Sequence, residues 1–320
     1  MTLEKKYNEL KKKSTKEIIE ELDKEGKVIT PLTDRVFKAL FSDKDIIGIL
    51  EYMILYITNL YEEDVIGNID IVNPYETVHN INEKEMTHDL KLRVGNNTLT
   101  LEMNRFNGKE TKFRNSAHYH ESIVKSLERA KSYRDIGMVI QINFDASITQ
   151  SNKLISKIMM MDVDNHVLDS SEEGFIKYKI NLHKVLEIRY NEVKPSRFEK
   201  ILLIMQESDK EKLKKISDGD KELKLMVKKI EKLSKNPDLV QYIKDEKLRK
   251  IAYEMDMKES KETGYSEGRE SGYSEGRESG YKEGLEENKV KTAKKMLEKN
   301  MDIKDISDVT GFNEEDILKL

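Results

Sequence analysis

The stretch that decides the fold is THDLKLRVGNNTLTLEMNRF, Thr87 to Phe106. Leu90, Leu92 and Val94 fall on one face of an extended segment, while Asp89, Lys91 and Arg93 fall on the other, the two-residue period of a β-strand. After Gly95, Asn96 and Asn97 the alternation resumes, with Leu99, Leu101 and Met103 on the apolar side and Thr98, Thr100, Glu102 and Asn104 on the polar side. Glycine and asparagine tolerate the positive φ of a tight turn, so the stretch predicts a β-hairpin. If the loop is Gly95-Asn96, Asp89 stands directly opposite Glu102. If it is Asn96-Asn97, Asp89 faces Asn104 and Glu102 lies one diagonal step away. In both registers the two acids are within reach of each other.

Two carboxylates face to face repel, and one pKa rises unless a cation intervenes. Mg²⁺ or Mn²⁺ removes that penalty, because hard divalent ions take carboxylate, carbonyl and water oxygens in octahedral geometry. The plainer reading of the same residues is a solvated sheet face on which Asp and Glu alternate with Lys and Arg.

At 320 residues the chain can bury one main core and carry an appendage. Apolar and charged residues each make up 37%, a charge-rich, soluble composition with an apolar share below the globular average. The longest apolar run, Ile46 to Leu60, is interrupted by Gly48, Glu51 and Asn59 and reads as a core helix, so no membrane span is expected. The opening LEKKYNELKKKSTKE lacks an apolar segment, which argues against secretion. The absence of cysteine excludes disulfides and thiolate metal sites and fits a cytoplasmic protein. A net charge of −4 suits a polyanionic partner only if the charge is segregated. Lys91, Arg93, Arg105, Lys109, Lys112, Arg114, Lys125, Arg129, Lys131 and Arg134 do crowd around the hairpin, while acids concentrate in the C-terminal half.

The sequence divides into a charged N-terminal arm at 1–28, an α/β core at 29–183, a helical region at 184–260, a Gly-rich octapeptide repeat at 261–288 and a small C-terminal helical unit at 289–320. In the core, a helix follows Pro31 and Thr33, and Asp34 is placed to cap it. Strands are expected near 65–72, 86–94, 98–105, 137–144 and 175–182, with a helix at about 115–134. An antiparallel hairpin beside a helical crossover makes a mixed sheet. The repeat runs GYSEGRES, GYSEGRES, GYKEGLEE, with glycine every fourth residue from Gly264 to Gly284. Its aromatic residues in register favour a helix that associates with another copy over a plain tether. Beyond it, Gly311 suits a turn and Asn313 an N-cap, giving a helix-turn-helix flavour at 303–320. The second helix begins Asn-Glu-Glu-Asp, which phosphates repel, so protein contact or simple capping is expected there rather than DNA reading.

Asp89, then twelve residues, then Glu102-Met103-Asn104 resembles the D…(D/E)xK core of the PD-(D/E)XK nuclease superfamily. More narrowly, the chain resembles the bacterial recombination-promoting nuclease or transposase family. The order ITPLTDRVFKALFSD, NPYE, NEKEMTHDLKL, LEMNRF, a helix with Tyr119 and Tyr133, and GMVIQINF carries the resemblance, as does the glycine-repeat tail. It implies a restriction-endonuclease-like mixed-sheet core followed by an α-helical C-terminal region, and a metal-dependent DNA endonuclease that hydrolyses phosphodiester bonds in recombination or transposition. It further implies that Asp89, Glu102 and the Met103 carbonyl hold Mg²⁺ or Mn²⁺ and that Asn104 positions the attacking water. Lys91, Arg93 and Arg105 are the candidate phosphate clamps. Asp34 is an accessory candidate through the resemblance, and Gln141 because it is polar among the apolar residues of its strand.

The sequence departs from the family pattern at Asn104, where the superfamily usually has Lys and this family often Gln, and at His88. Asn hydrogen-bonds but brings no charge to the developing anion. The rival expectation is therefore a catalytically degenerate nuclease fold acting as an oligomeric DNA- or protein-binding module. His118 and His120, two residues apart on a helix, do not converge on one ion. His79 and His183 form no cluster.

Overall fold

The computed structural model describes residues 2–72, 89–105, 108–130, 132, 135–147, 152–190 and 194–320. The NPYE strand end at 73–76, His79, His88, Phe106, Lys131, Tyr133 and Arg134 lie outside them. The N-terminal arm holds helices α1 (Leu3–Lys12) and α2 (Thr15–Lys24), the second started by a capping box between Ser14 and Glu17. Next come α3 (Asp34–Phe41), α4 (Ile47–Ile57) and the short α5 (Glu62–Val65), then strands β1 (Ile69–Ile71), β2 (Leu90–Val94) and β3 (Asn97–Asn104). Helix α6 (Lys109–Arg129) crosses over to β4 (Val139–Asp145). Strands β5 (Ile155–Ile158), β6 (Met161–Asp162), β7 (Val167–Leu168) and β8 (Phe175–Asn181) follow. Helices α7 (Leu182–Tyr190), α8 (Arg197–Gln206), α9 (Lys210–Ile216), α10 (Lys221–Leu233), α11 (Pro237–Glu298), α12 (Ile303–Thr310) and α13 (Glu314–Ile317) complete the chain.

Six strands form one mixed sheet in the order β1-β2-β3-β4-β8-β5, antiparallel at both margins and parallel through β3-β4-β8. Every strand expected from the sequence is present. The extra ones are β5, which pairs antiparallel with β8, and the small β6–β7 hairpin, whose two-residue strands are too short to show a period. Helix α6 begins at Lys109 and ends at Arg129, earlier at both ends than the expected 115–134, because Gly108 can start it and Ala130 turns extended.

The alternation that predicts the hairpin also builds the core. Leu90, Leu92, Val94, Leu99, Leu101 and Met103 share a buried cluster with Ile140, Ile142, Phe144, Ile176 and Ile180 of the neighbouring strands. Phe37 and Phe41 of α3 join it, with ring centroids 4.8 Å apart, and Phe37 lies 5.7 Å from Phe144. Helix α4, read as a core helix, buries Ile49, Leu50, Met53, Ile54 and Ile57, and α8 and α10 add Phe198, Ile201, Leu223, Met226 and Ile230. Each such side chain contributes about 1.5–3 kcal/mol relative to exposure. Lys229 of α10 reaches Asp43 at 2.7 Å and Asp45 at 2.6 Å, tying that helix to the turn after α3.

The chain resolves into two compact units, residues 10–247 and residues 1–9 with 248–320. In the second, α11 continues as helix through all six repeat glycines, in agreement with the helical reading of that segment. Its distal end carries a small cluster of Ala293, Ile306 and Ile317 packed by Met296, Leu297, Ile303 and Phe312. Gly311 takes the left-handed conformation, φ 74°, that ends α12, and the Asn313 side chain caps α13, both as the sequence suggests.

Gly137 leads into β4 at a point where only glycine fits, since an ideal Cβ there would sit 2.0 Å from the Asn96 carbonyl oxygen. That approach lets Met138 donate to the Asn97 side chain and Thr98 to the Met138 carbonyl, both at 2.8 Å, pinning the hairpin turn to β4. Gly137→Ala is expected to lower stability by about 2–4 kcal/mol through backbone displacement at this junction, measured as a shift in the urea midpoint with helix content retained.

Candidate active site

The hairpin closes on Gly95-Asn96, with Gly95 at φ 57° and the pairs Val94↔Asn97, Leu92↔Leu99 and Leu90↔Leu101. This is the first of the two registers allowed by the sequence, and continuing it sets Asp89 opposite Glu102. Asp89 Oδ2 accepts a 2.5 Å hydrogen bond from the Met103 backbone N–H, fixing the carboxylate where the β2–β3 ladder ends. Asp89 is 8% exposed and Glu102 is fully buried.

The polar face is therefore not a solvated one, contrary to the plainer reading. Helix α6 covers it with a polar inner stripe of Asn115, His118, Ser122 and Ser126, recurring at helical spacing. His118 Nδ1 lies 3.2 Å from Glu102 Oε1. Asn115 donates to Asn104 Oδ1 and to Asn143 Oδ1, each at 2.9 Å, and Asn104 donates to Asp145 Oδ1 at 2.9 Å. Both ends of the Asn104 amide are thus engaged. Gln141 donates to the Asn115 carbonyl at 2.9 Å and accepts from Asn143, so it supports α6 one rung below Glu102.

Burial drives the electrostatics. It pushes the Asp89 carboxyl well above the usual carboxylate range, the charges of Asp34 and Glu102 push it further, and the Met103 N–H and Arg114 oppose the rise. Asp34 is raised to about 6, again mainly by burial, with Glu246 and Glu102 adding and Arg114 subtracting. Asp34 consequently belongs beside Asp89 and Glu102. It is not the cap of its helix: Thr33 occupies that position, with no side-chain capping bond, and Asp34 is the first helical residue. Burial also raises Asp145, against the pull of the Asn104 amide, Lys179 and Lys112.

The phosphate candidates separate. Lys91 is buried opposite Thr100, its pKa lowered by burial and by Lys125 and Arg129. Arg93 sits one step nearer the turn, half exposed and 3.8 Å from Asp70. Arg105 follows β3 directly and is exposed. His120 is exposed and turned to the Ser116 carbonyl, away from His118. Sequence reasoning missed Asn115, Asn143 and Asp145, counted Arg114 only within the basic cluster, and discounted His118 as half of a histidine pair. The alternation Gln141, Asn143, Asp145 in VIQINFD and the spacing of Asn115, His118, Ser122 and Ser126 were the available signals.

Among the described residues, no three His, Cys, Asp or Glu side chains converge closely enough to hold a metal ion as they stand. The chemistry of the donors nevertheless fits a hard divalent cation: oxygen ligands, buried, mutually repelling and with raised pKa values. Among the described residues, no helix is long and apolar enough to cross a membrane.

A family model described as PD-(D/E)XK nuclease family transposase matches residues 31–264. No curated protein and no solved structure matches the chain.

Asp34 titrates near 4 when unfolded and at about 6 in the fold, so between those values the native state holds the extra proton. Stability of the metal-free protein should therefore fall as pH rises from about 4 to 6, by on the order of 1–3 kcal/mol, and stay low above. Thermal unfolding across this range is expected to show that slope, Asp34→Asn to make it shallower while leaving the share due to Asp89, and millimolar Mg²⁺ or Mn²⁺ to flatten it.

Proposed function

Because the chain belongs to the PD-(D/E)XK nuclease family transposases, we propose that it is a metal-dependent endonuclease that hydrolyses phosphodiester bonds in DNA. The observation that carries the proposal is the placement of Asp89 and Glu102 side by side at the end of the β2–β3 ladder, buried and next to Asp34. A buried acidic cluster of this kind is unfavourable for stability, and its retention is characteristic of functional sites.

In this reading Asp89, Glu102 and the Met103 carbonyl hold Mg²⁺ or Mn²⁺. When bound, the ion supplies Lewis-acid polarisation of a phosphoryl oxygen. The protein's own part is positioning. The Met103 N–H and His118 fix the two carboxylates, and α6 shields them from bulk water. Arg114 brings positive charge to Asp89, and Arg105, exposed directly after β3, is the candidate to meet a phosphate. The water-positioning role expected of Asn104 requires its amide to exchange a bond to Asp145 or Asn115 for one to water. Transposition is the biological context that the family description supports, recombination being the wider setting in this reading, and the cysteine-free composition supports a cytoplasmic location.

Plasmid nicking with Mg²⁺ and Mn²⁺ tests the proposal. Loss of an outer-sphere partner in a metal site costs roughly 10–100-fold, so removing a direct ligand by Asp89→Ala or Glu102→Ala should cost at least about 100-fold, with circular dichroism unchanged. Asn104→Gln, closer to the family pattern, is expected to keep or raise activity. Nicking that survives both acidic substitutions would assign it to a contaminant. A wild type that binds DNA without nicking would favour the degenerate binding module.

Self-association through the 264–287 helix belongs to the same proposal, supported by Tyr265, Tyr273 and Tyr281, which are 75%, 74% and 69% exposed on a glycine-rich helix. Sedimentation is expected to show an oligomer, and replacing the three tyrosines by serine to return the monomer.

A further inference from the structure

Hydrolysis of a phosphodiester joins a water oxygen to phosphorus and breaks the bond to one ester oxygen, which takes up a proton as the water gives one up. Between the two, negative charge gathers on the phosphoryl oxygens, and a fixed cation beside them stabilises it. Asp89, Glu102 and Asn104 bring no such cation, since two are acids and the third is a neutral amide. Lys91 is buried under α6, Arg93 lies 3.8 Å from Asp70, and His118 is engaged with Glu102.

The polar face of the sheet supplies a cation from two strands away. Glu102 pairs with Asn143 and Asn143 with Lys179, so the three side chains share a rung and a face. At a strand spacing of about 4.8 Å, Lys179 starts about 10 Å from Glu102 and carries its charge on a long flexible stem. One rung further, Asn104 donates to Asp145 at 2.9 Å. Burial raises the pKa of that carboxyl, and Asn104, Lys179 and Lys112 oppose the rise. Asp145 thus draws two ammonium groups to the corner of the site where Asn104 stands. Both lysines are exposed, which leaves them accessible to a substrate. Lys112 belongs to the first turn of α6, whereas Lys179 is held on a strand paired on both sides, by β4 and by β5.

Resting on the DNA-hydrolase reading, we propose that the Lys179 ammonium is the catalytic cation of the site, contacting the phosphoryl oxygens as they gather charge.

The chain contains no cysteine, so in a full-length Lys179→Cys variant the new thiol is the single one available for alkylation. Bromoethylamine rebuilds an ammonium side chain of lysine length there, and iodoacetamide leaves a neutral one. Lys112→Cys, treated alike, is the comparison. Plasmid nicking gives kcat and KM, and anisotropy of a dye-labelled duplex with Ca²⁺ in place of Mg²⁺ gives binding separately. Lys179→Cys should lose about 100-fold in kcat, the loss expected on removing one preorganised stabilising group, with DNA affinity changed by less than about threefold. Bromoethylamine should return kcat to at least about a tenth of wild type, iodoacetamide should not, and Lys112→Cys should stay within about threefold of wild type. A Lys179→Cys protein that nicks like wild type, a loss that bromoethylamine restores no better than iodoacetamide, or a loss accounted for by weaker DNA binding overturns the assignment and leaves the hydrolase reading standing. A wild type that does not nick overturns both.

Discussion

Bringing Asp89 and Glu102 together beneath a helix costs free energy in any state that leaves both ionised, and the surrounding structure is arranged so that this cost is tolerated. The register set by the Gly95-Asn96 turn puts the two acids opposite each other, and a one-residue slip would carry the leucines of the slipped strand out of the core. The apolar face of the sheet, with Phe37, Phe41 and Phe144 against it, outweighs the acidic pair by many buried side chains. Local partners reduce the rest of the penalty. The Met103 N–H and Arg114 favour the charged form of Asp89, and Asp34 gains from lying in the first turn of α3. On the proposed reading, the residual repulsion is what a bound cation would relieve.

Helix α6 turns this acidic pair into an enclosed site. A helix laid over a sheet normally presents apolar residues, but here Asn115, His118, Ser122 and Ser126 face the sheet. Most polar groups so buried find a partner, the amides of Asn104, Asn115, Gln141 and Asn143 linking to one another, while the Asn115 Oδ1 atom makes no hydrogen bond among the described residues. This network explains how Asn104 is accommodated. A lysine in its place would project a charge toward Asp145, whereas asparagine satisfies Asp145 Oδ1 as a neutral donor and accepts from Asn115 at the same time. The position is thereby tied into the fold, and positive charge near the acids comes from outside the motif, from Arg114, Lys112 and Lys179.

The sheet was legible in the sequence because its strands alternate cleanly, and the two acids because alternation and turn chemistry together fix their side of the hairpin. The sequence left two registers open, and the choice depended on contacts with β4 that lie far along the chain, notably the approach of Gly137 to Asn96. An acid at a helix start satisfies the capping rule locally, which is why the sequence alone makes Asp34 a cap. Its proximity to Asp89 comes from packing of α3 on the sheet, which no local pattern encodes. Lys91 shares a face with Asp89, which the sequence shows, but that face lies under α6 and Lys91 is buried there, which depends on the helix crossing and not on the strand's alternation. Helical spacing pairs His118 with no second histidine, and its partner, the Glu102 carboxylate, lies on a strand that helix periodicity does not reveal.

The repeat segment raises the opposite question, of why it is helical at all. Six glycines weaken a helix by roughly 1 kcal/mol each against alanine. An added Cβ at any of them would meet nothing within 4 Å, so no close packing within the chain accounts for them. The i,i+4 pairs along it, such as Glu278 with Lys282 at 2.7 Å and Glu287 with Lys291 at 3.6 Å, are exposed and contribute about 0.3–0.5 kcal/mol apiece. They fall well short of the glycine deficit. A glycine every fourth residue keeps one winding strip of the helix free of side chains, and the tyrosines recur alongside it at every eighth. Those are the features that permit another backbone to approach closely and then be gripped by aromatic rings. The free energy missing from the isolated helix is on this view supplied by a second helix, and the cost of the glycines is the cost of leaving room for it.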